Sequence, residues 1–216
     1  MKKIKFMTLF AIIALFGVLS MQSCTKTEST NVFSKNSYIE LNSAMHKLWA
    51  EHMQWTYMTV DAFFHNPNSL ENNLNRLLQN QKDIGNAIVP YYGQEAGDEL
   101  SNLLTEHIEL AVPVLTAAQN NDANALEAAL NDWYRNADDI AHFLSAANPT
   151  NWEKSEMEHM MKMHIDQTVE YSVALLNNDY ATALQKYDEA FQHMMEDMAK
   201  MLSEGIAKQF PEKFVN

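Results

Sequence analysis

The sequence predicts an all-α protein: a six-helix bundle built from three repeated helical hairpins. Two observations carry this. First, no stretch of the chain alternates apolar and polar residues with period two, glycine is scarce at 5 of 216 residues, and apolar residues recur instead at helical spacing. Second, the chain repeats itself. His52, His107 and His164 stand in similar surroundings, as Leu48-Trp49-Ala50-Glu51-His52-Met53, Leu104-Thr105-Glu106-His107-Ile108 and Met161-Lys162-Met163-His164-Ile165. Each is followed by a turn rich in asparagine, at His65-Asn66-Pro67-Asn68, Asn120-Asn121-Asp122 and Asn177-Asn178-Asp179. The His spacings are 107−52=55 and 164−107=57, which is one helical hairpin per repeat.

The elements follow in order. Helices are expected over 38–65, 68–89, 94–119, 122–146, 152–176 and 179–209. Leu74, Leu77, Leu78, Ile84 and Ile88 trace the buried stripe of the second. Pro90-Tyr91-Tyr92-Gly93 should stop that helix, Asn148-Pro149 the fourth and Pro211 the last, because proline removes a backbone donor and clashes with the preceding turn. Pro113 lies inside the third helical pattern and should kink it. Three repeats are few for an open solenoid and the helices are long, so a closed bundle is expected, in one domain over 38–216.

The first two dozen residues read as a processing segment. Met1-Lys2-Lys3-Ile4-Lys5 is a basic start, and Phe6 to Leu19 is an apolar run too short to span a bilayer. The run ends at Ser20-Met21-Gln22-Ser23-Cys24, which resembles a bacterial lipoprotein signal, with a small residue before the chain's single cysteine. On this reading 1–23 is a signal peptide, Cys24 is the lipidated first residue, and 24–37 is a flexible tether to a membrane of the cell envelope, the outer membrane being favoured. The alternative is an ordinary cleaved signal with an incidental cysteine. Loss of Lys2, Lys3 and Lys5 would take the formal charge from −13 to (15−3)−28=−16. So acidic a protein repels phosphate backbones, which argues against nucleic-acid binding. A single cysteine forms no internal disulfide, so core packing must carry stability.

The chemistry suggested by the repeat lies at one height. His52 precedes Pro67 by 15 residues and Asp83 follows it by 16, and similar counts place Asp139 opposite His107 and Asp197 opposite His164. Each histidine is thus expected to face its own aspartate inside an apolar stripe, where a polar group needs a partner. Two readings follow. In one, the pairs serve only to fix helix register in a structural or partner-interaction protein. In the other, the three imidazoles converge as a transition-metal site for zinc or copper, with Asp83, Asp139 and Asp197 behind them orienting the rings.

Other signals are weaker. Methionines crowd the last hairpin, and pairs such as Met160 with His164 or His159 with Met163 would suit Cu(I), although methionine at helical spacing is more often core filler. Arg76, Tyr91 and Arg135, with Tyr57 and Tyr92, are candidates to line a pocket for a small anionic ligand. No Glu-x-x-His pair recurs on opposite helices, and no CxxCH, nucleophile elbow, phosphate loop or dinucleotide fingerprint occurs. Enzymatic activity has no positive signal in the sequence.

The runs Leu48-Trp49-x-x-His52-x-x-Trp55-Thr56, Asn75-Arg76-Leu77-Leu78-x-Asn80-Gln81-x-Asp83-Ile84-Gly85-Asn86-Ala87-Ile88 and Pro90-Tyr91-Tyr92-Gly93 resemble an uncharacterised family of bacterial all-helical proteins, found with and without secretion signals. The resemblance covers most of residues 48–211. It implies a helical fold and no established activity.

Overall fold

A computed structural model describes residues 31–215. The expected signal peptide and Cys24 lie outside the described residues. Within them the chain is helical throughout, without a strand. α1 spans Asn36–His65, α2 Pro67–Tyr92, α3 Gln94–Gln119, α4 Ala123–Ala147 and α5 Lys154–Leu176. The sixth arm is composite: α6 (Tyr180–His193) passes through a π-helical turn at Met194–Ala199 into α7 (Lys200–Gln209).

Each helix packs against its neighbour in sequence, and α1 also packs against the π turn, α7 and α5. The first arm therefore meets the last, and the three hairpins close into a six-helix bundle, as the repeat predicts. The core follows from the helical stripes. Tyr38, Leu41, Met45, Trp49, Met53 and Val60 are buried along α1, and Leu77, Ile84 and Ile88 along α2.

The second and third hairpin turns share one device. Asn121 (φ 53°) and Asn178 (φ 58°) adopt the left-handed conformation that asparagine tolerates better than most residues. The amides of Asp122 and Asp179 reach back to Ala117 O and Ala174 O, and those of Asn121 and Asn178 to Ala118 O and Leu175 O, closing both helices in Schellman fashion. Asp122 and Asp179 then cap the next helix, accepting from the amides of Ala125 (3.0 Å) and Thr182 (3.2 Å). The first hairpin instead places Pro67 at the first turn of α2, where its missing N–H costs nothing.

Several boundaries differ from the sequence expectation. α2 runs past Pro90 to Tyr92, because a proline in the last turn forfeits one bond and the helix ends instead at Gly93, whose φ is 86°. The expected tether also ends early. Val32–Ser34 forms a 3-10 turn capped by the Asn31 side chain, and Phe33 packs edge-on against Tyr38, so α1 begins at Asn36 rather than 38. Pro113 is accommodated within α3 on an exposed position. No helix among the described residues is long and apolar enough to cross a membrane.

Candidate functional site

The closed fold brings the three repeated histidines together at mid-height. The ring of His164, on α5, lies 5.5 Å from that of His52 on α1 and 5.7 Å from that of His107 on α3, centroid to centroid. All three side chains are buried, at 2%, 2% and 4% exposure. Trp49 packs edge-on against His52 at 5.5 Å, and Trp133 lies beside His107 at 5.3 Å.

The expected aspartates are not their partners. His52 Nδ1 faces the amide of Gln81 (3.3 Å), and His107 Nδ1 faces that of Asn136 (2.9 Å). In the third hairpin the equivalent residue is His193. The spacing is constant: 81−52=29, 136−107=29 and 193−164=29. The same arms make a second repeated bond, to the carbonyl one turn before each tier histidine. Asn80 Nδ2 donates to Leu48 O (3.0 Å), Asn136 Nδ2 to Leu103 O (3.1 Å), and His193 Nε2 lies 3.4 Å from Met160 O.

Asp83, Asp139 and Asp197 sit two, three and four residues beyond these partners, and none of them bonds a tier histidine. Asp83 accepts from Gln79 (2.9 Å) and lies 3.8 Å from Arg76. Asp139 is exposed. Asp197 accepts from His193 Nδ1 (2.8 Å), one turn back on its own arm, with 58% of its side chain exposed. The physical reason is charge. A carboxylate buried against a neutral imidazole would be an uncompensated ion, whereas Gln and Asn supply hydrogen bonds without one. The signal that locates Gln81, Asn136 and His193 is the 29-residue interval itself, which a search for acidic residues passes over.

The other candidates do not assemble into a pocket. Arg76 pairs with Glu51 (2.8 Å) and lies over the Trp55 ring, Arg135 is exposed beside Asp132, and Tyr91 stacks on Phe214 at the far end of the bundle. Tyr57 belongs to a cluster with Tyr171 and Tyr187, and Tyr92 donates to Gln209 (2.6 Å). Met157, Met160, Met161, Met194 and Met198 are buried members of the core, while His159 is exposed.

Burial governs the electrostatics of the tier. Desolvation pushes His52 down to about 3, with the adjacent His107 adding to the effect. Burial likewise lowers His107 to about 4, opposed by its bond to Asn136. His164 is held well below the ordinary imidazole range by burial first and by His52, His107 and His193 next. All three are therefore neutral at pH 7.

His52 Nε2, His107 Nε2 and His164 Nδ1 are buried without a hydrogen-bond partner in the protein, as are the Thr168 hydroxyl and the Trp133 indole N–H. A buried polar atom without a partner costs about 1–3 kcal/mol, so such a cluster is a strong departure from ordinary cores. The same three rings border a cavity of about 140 Å³. It extends from the tier toward the hairpin turns, between Thr56, Thr59, Val60 and Phe63 of α1, Leu70, Leu74 and Leu77 of α2, and Ile108, Ala111, Val112 and Leu115 of α3. No ionised side chain lines it.

The amides also bear on the metal reading. Gln81 Nε2 faces three acceptors for its two protons, Leu77 O (2.9 Å), Asn80 Oδ1 (3.3 Å) and His52 Nδ1 (3.3 Å), and since an amide nitrogen accepts no hydrogen bond, His52 Nδ1 faces it with its lone pair. The neutral His52 ring then carries its proton on Nε2, which in that form offers a metal no lone pair. Among the described residues no three His, Cys, Asp or Glu side chains are disposed to hold a metal ion.

Neither a family model, nor a curated protein, nor a solved structure matches this chain. Its functional reading rests on the geometry of the tier.

Proposed function

We propose that this protein is a non-enzymatic binding protein that takes up a small ligand in the cavity below the histidine tier, and that it is held in the cell envelope by a lipid on Cys24. The observation that carries the binding reading is the coincidence of three unpaired, buried imidazole nitrogens with a cavity bordered by the same rings. Core design that serves packing alone would fill the space and pair the nitrogens. Polar groups without a partner in the protein, bordering an apolar cavity, are what a preformed binding site presents to its ligand.

A transition metal is the second reading, supported by His107. Asn136 Oδ1 accepts from its Nδ1–H and so leaves Nε2 as a lone pair, the orientation seen in metal-bound imidazoles. Binding zinc or copper at His52, His107 and His164 would require the Gln81 amide to turn over, placing its oxygen against two other oxygens. The small-ligand reading needs no such change.

The test is thermal melting of the purified protein against a panel of small neutral aromatic and aliphatic compounds and, in parallel, Zn, Cu(I), Ni, Co and Fe(II), with elemental analysis of the protein as isolated. A ligand at about 100 times its Kd adds about 2.7 kcal/mol to the folded state, which in a chain of this size raises Tm by roughly 5–10 °C. Metal-free protein with a flat response to every compound would leave the tier as a device for helix register alone. For the anchor, labelled fatty acid should enter the wild-type chain in cells and not the Cys24→Ala variant; an unlabelled wild type defeats that part.

A further inference from the structure

The tier has a polarity that the sequence repeat conceals, because the three repeats place chemically different groups behind equivalent histidines. Gln81 turns its amide nitrogen toward His52 Nδ1, held in that orientation by two oxygen acceptors, and because that nitrogen cannot accept a hydrogen bond the ring proton is placed on Nε2. Asn136 does the opposite. Its own N–H₂ is engaged by Leu103 O, which turns Oδ1 toward His107 Nδ1 and leaves Nε2 as a bare acceptor. The unpaired nitrogen of His52 is thus a donor and that of His107 an acceptor, and the His164 ring lies 5.5 and 5.7 Å from the two rings. A single hydroxyl satisfies such a pair, because it accepts with its lone pairs and donates with its proton.

The rest of the cavity constrains the ligand further. Its walls beyond the tier are apolar, Val60, Phe63, Leu74, Leu77, Ile108 and Leu115 among them. With no ionised side chain in the lining, a charged ligand of either sign would lose its hydration without gaining a counter-charge. An apolar cavity of this size class accommodates a molecule about as large as benzene.

From this polarity we infer that the ligand is a compact, uncharged, largely apolar molecule bearing one hydroxyl, a phenol or a short branched alcohol, whose hydroxyl bridges His52 and His107. This rests on the small-ligand reading above and specifies the chemistry of the same site.

Calorimetric titration of the purified protein with phenol, toluene and benzoate separates the two levels. Phenol is expected to bind about tenfold or more tighter than toluene, the gain of bonding groups otherwise left unpaired, and benzoate not to bind. In His107→Leu the toluene affinity should hold while the preference for phenol falls to within about twofold. Nitrogen-detected NMR of the wild-type histidines supplies a readout independent of that variant's folding: the proton should reside on Nε2 of His52 and on Nδ1 of His107. Toluene binding as tightly as phenol, benzoate binding best, or a His52 proton on Nδ1 would each overturn the inference while leaving a binding cavity. Failure of all three probes to bind would overturn the binding reading with it, and phenol displaced by stoichiometric zinc would favour the metal.

Discussion

The two ends of this bundle are built from the same kinds of helix and meet different standards. At the end away from the hairpin turns, Met45, Ile84, Leu100, Leu144, Trp152, Leu202 and Ile206 close around a void of only about 10 Å³, room for one water molecule at most. Most buried polar side chains there are paired, Ser37 Oγ being an exception: Asn148 Nδ2 donates to Gly205 O (2.9 Å), Trp152 Nε1 to Met201 O (3.3 Å), and Ser203 to Asn42 (2.8 Å). Gly205 has no room for a side chain, since a Cβ would stand 2.0 Å from the Trp152 indole nitrogen. From the tier toward the turns, the cavity is about 140 Å³ and polar atoms lie unbonded beside it. One chain thus packs one end closely and leaves the other looser, a departure from its own standard.

The sealed end should dominate stability, and breaking it is the largest expected effect. Trp152→Ala removes a fully buried indole and its bond to Met201, and should cost about 3–5 kcal/mol in chemical denaturation. Ligand affinity should be unchanged at temperatures where the variant is folded, because Trp152 does not line the tier cavity. A loss below about 1 kcal/mol would mean that the two ends do not differ as described.

Acid acts on the other end. The tier imidazoles are depressed in the fold relative to the unfolded chain, so the unfolded state binds more protons below about pH 6.5 and stability must fall as pH falls. The stabilising share is fully present above the unfolded value and is lost on the way down to the folded values near 4 and 3. Between pH 7 and 5.5, where unperturbed carboxylates stay largely ionised, each imidazole should lose about 1 kcal/mol, roughly 3 for the tier. Urea denaturation at the two pH values measures it. His107→Leu should shrink the pH slope by about a third, whereas Trp152→Ala should lower stability at both values and leave the slope alone. A slope insensitive to His107→Leu would locate the acid sensitivity elsewhere.

The contrast between the ends also explains what was legible in the sequence. The repeat was readable from His52, His107 and His164 because identical residues recur at intervals of 55 and 57. Helix bounds were readable wherever Asn-Asn-Asp or Asn-Pro supplies a turn, and slipped at Pro90, where the stop lies in the φ of Gly93. The partners were hidden although their interval is invariant, because the repeats realise one position as Gln81, Asn136 and His193 and conserve hydrogen-bonding capacity rather than charge. The cavity was hidden for another reason. It arises where Thr56, Ala111 and Thr168 are too small to fill the space between five helices, and the size deficit of residues distant in sequence becomes visible only once they face one another.

That deficit gives the smallest and most discriminating prediction. Ala111 is half-buried on α3 and lines the cavity midway between His107 and Leu115. Ala111→Leu adds apolar volume in a residue that helices favour, and filling a void of this kind typically gains about 0.5–1 kcal/mol when the added atoms find room without forcing a rotamer. Small as it is, the sign matters. If the cavity were a packing defect tolerated for want of anything better, filling it would raise Tm at no functional cost. If the space is kept for a ligand, the variant should be more stable alone and lose the stabilisation that phenol confers on the wild type, so that the two melting temperatures converge or cross at saturating phenol. Thermal melts of both proteins with and without the compound decide it. A variant that gains stability and still responds to phenol would place the binding site away from the tier.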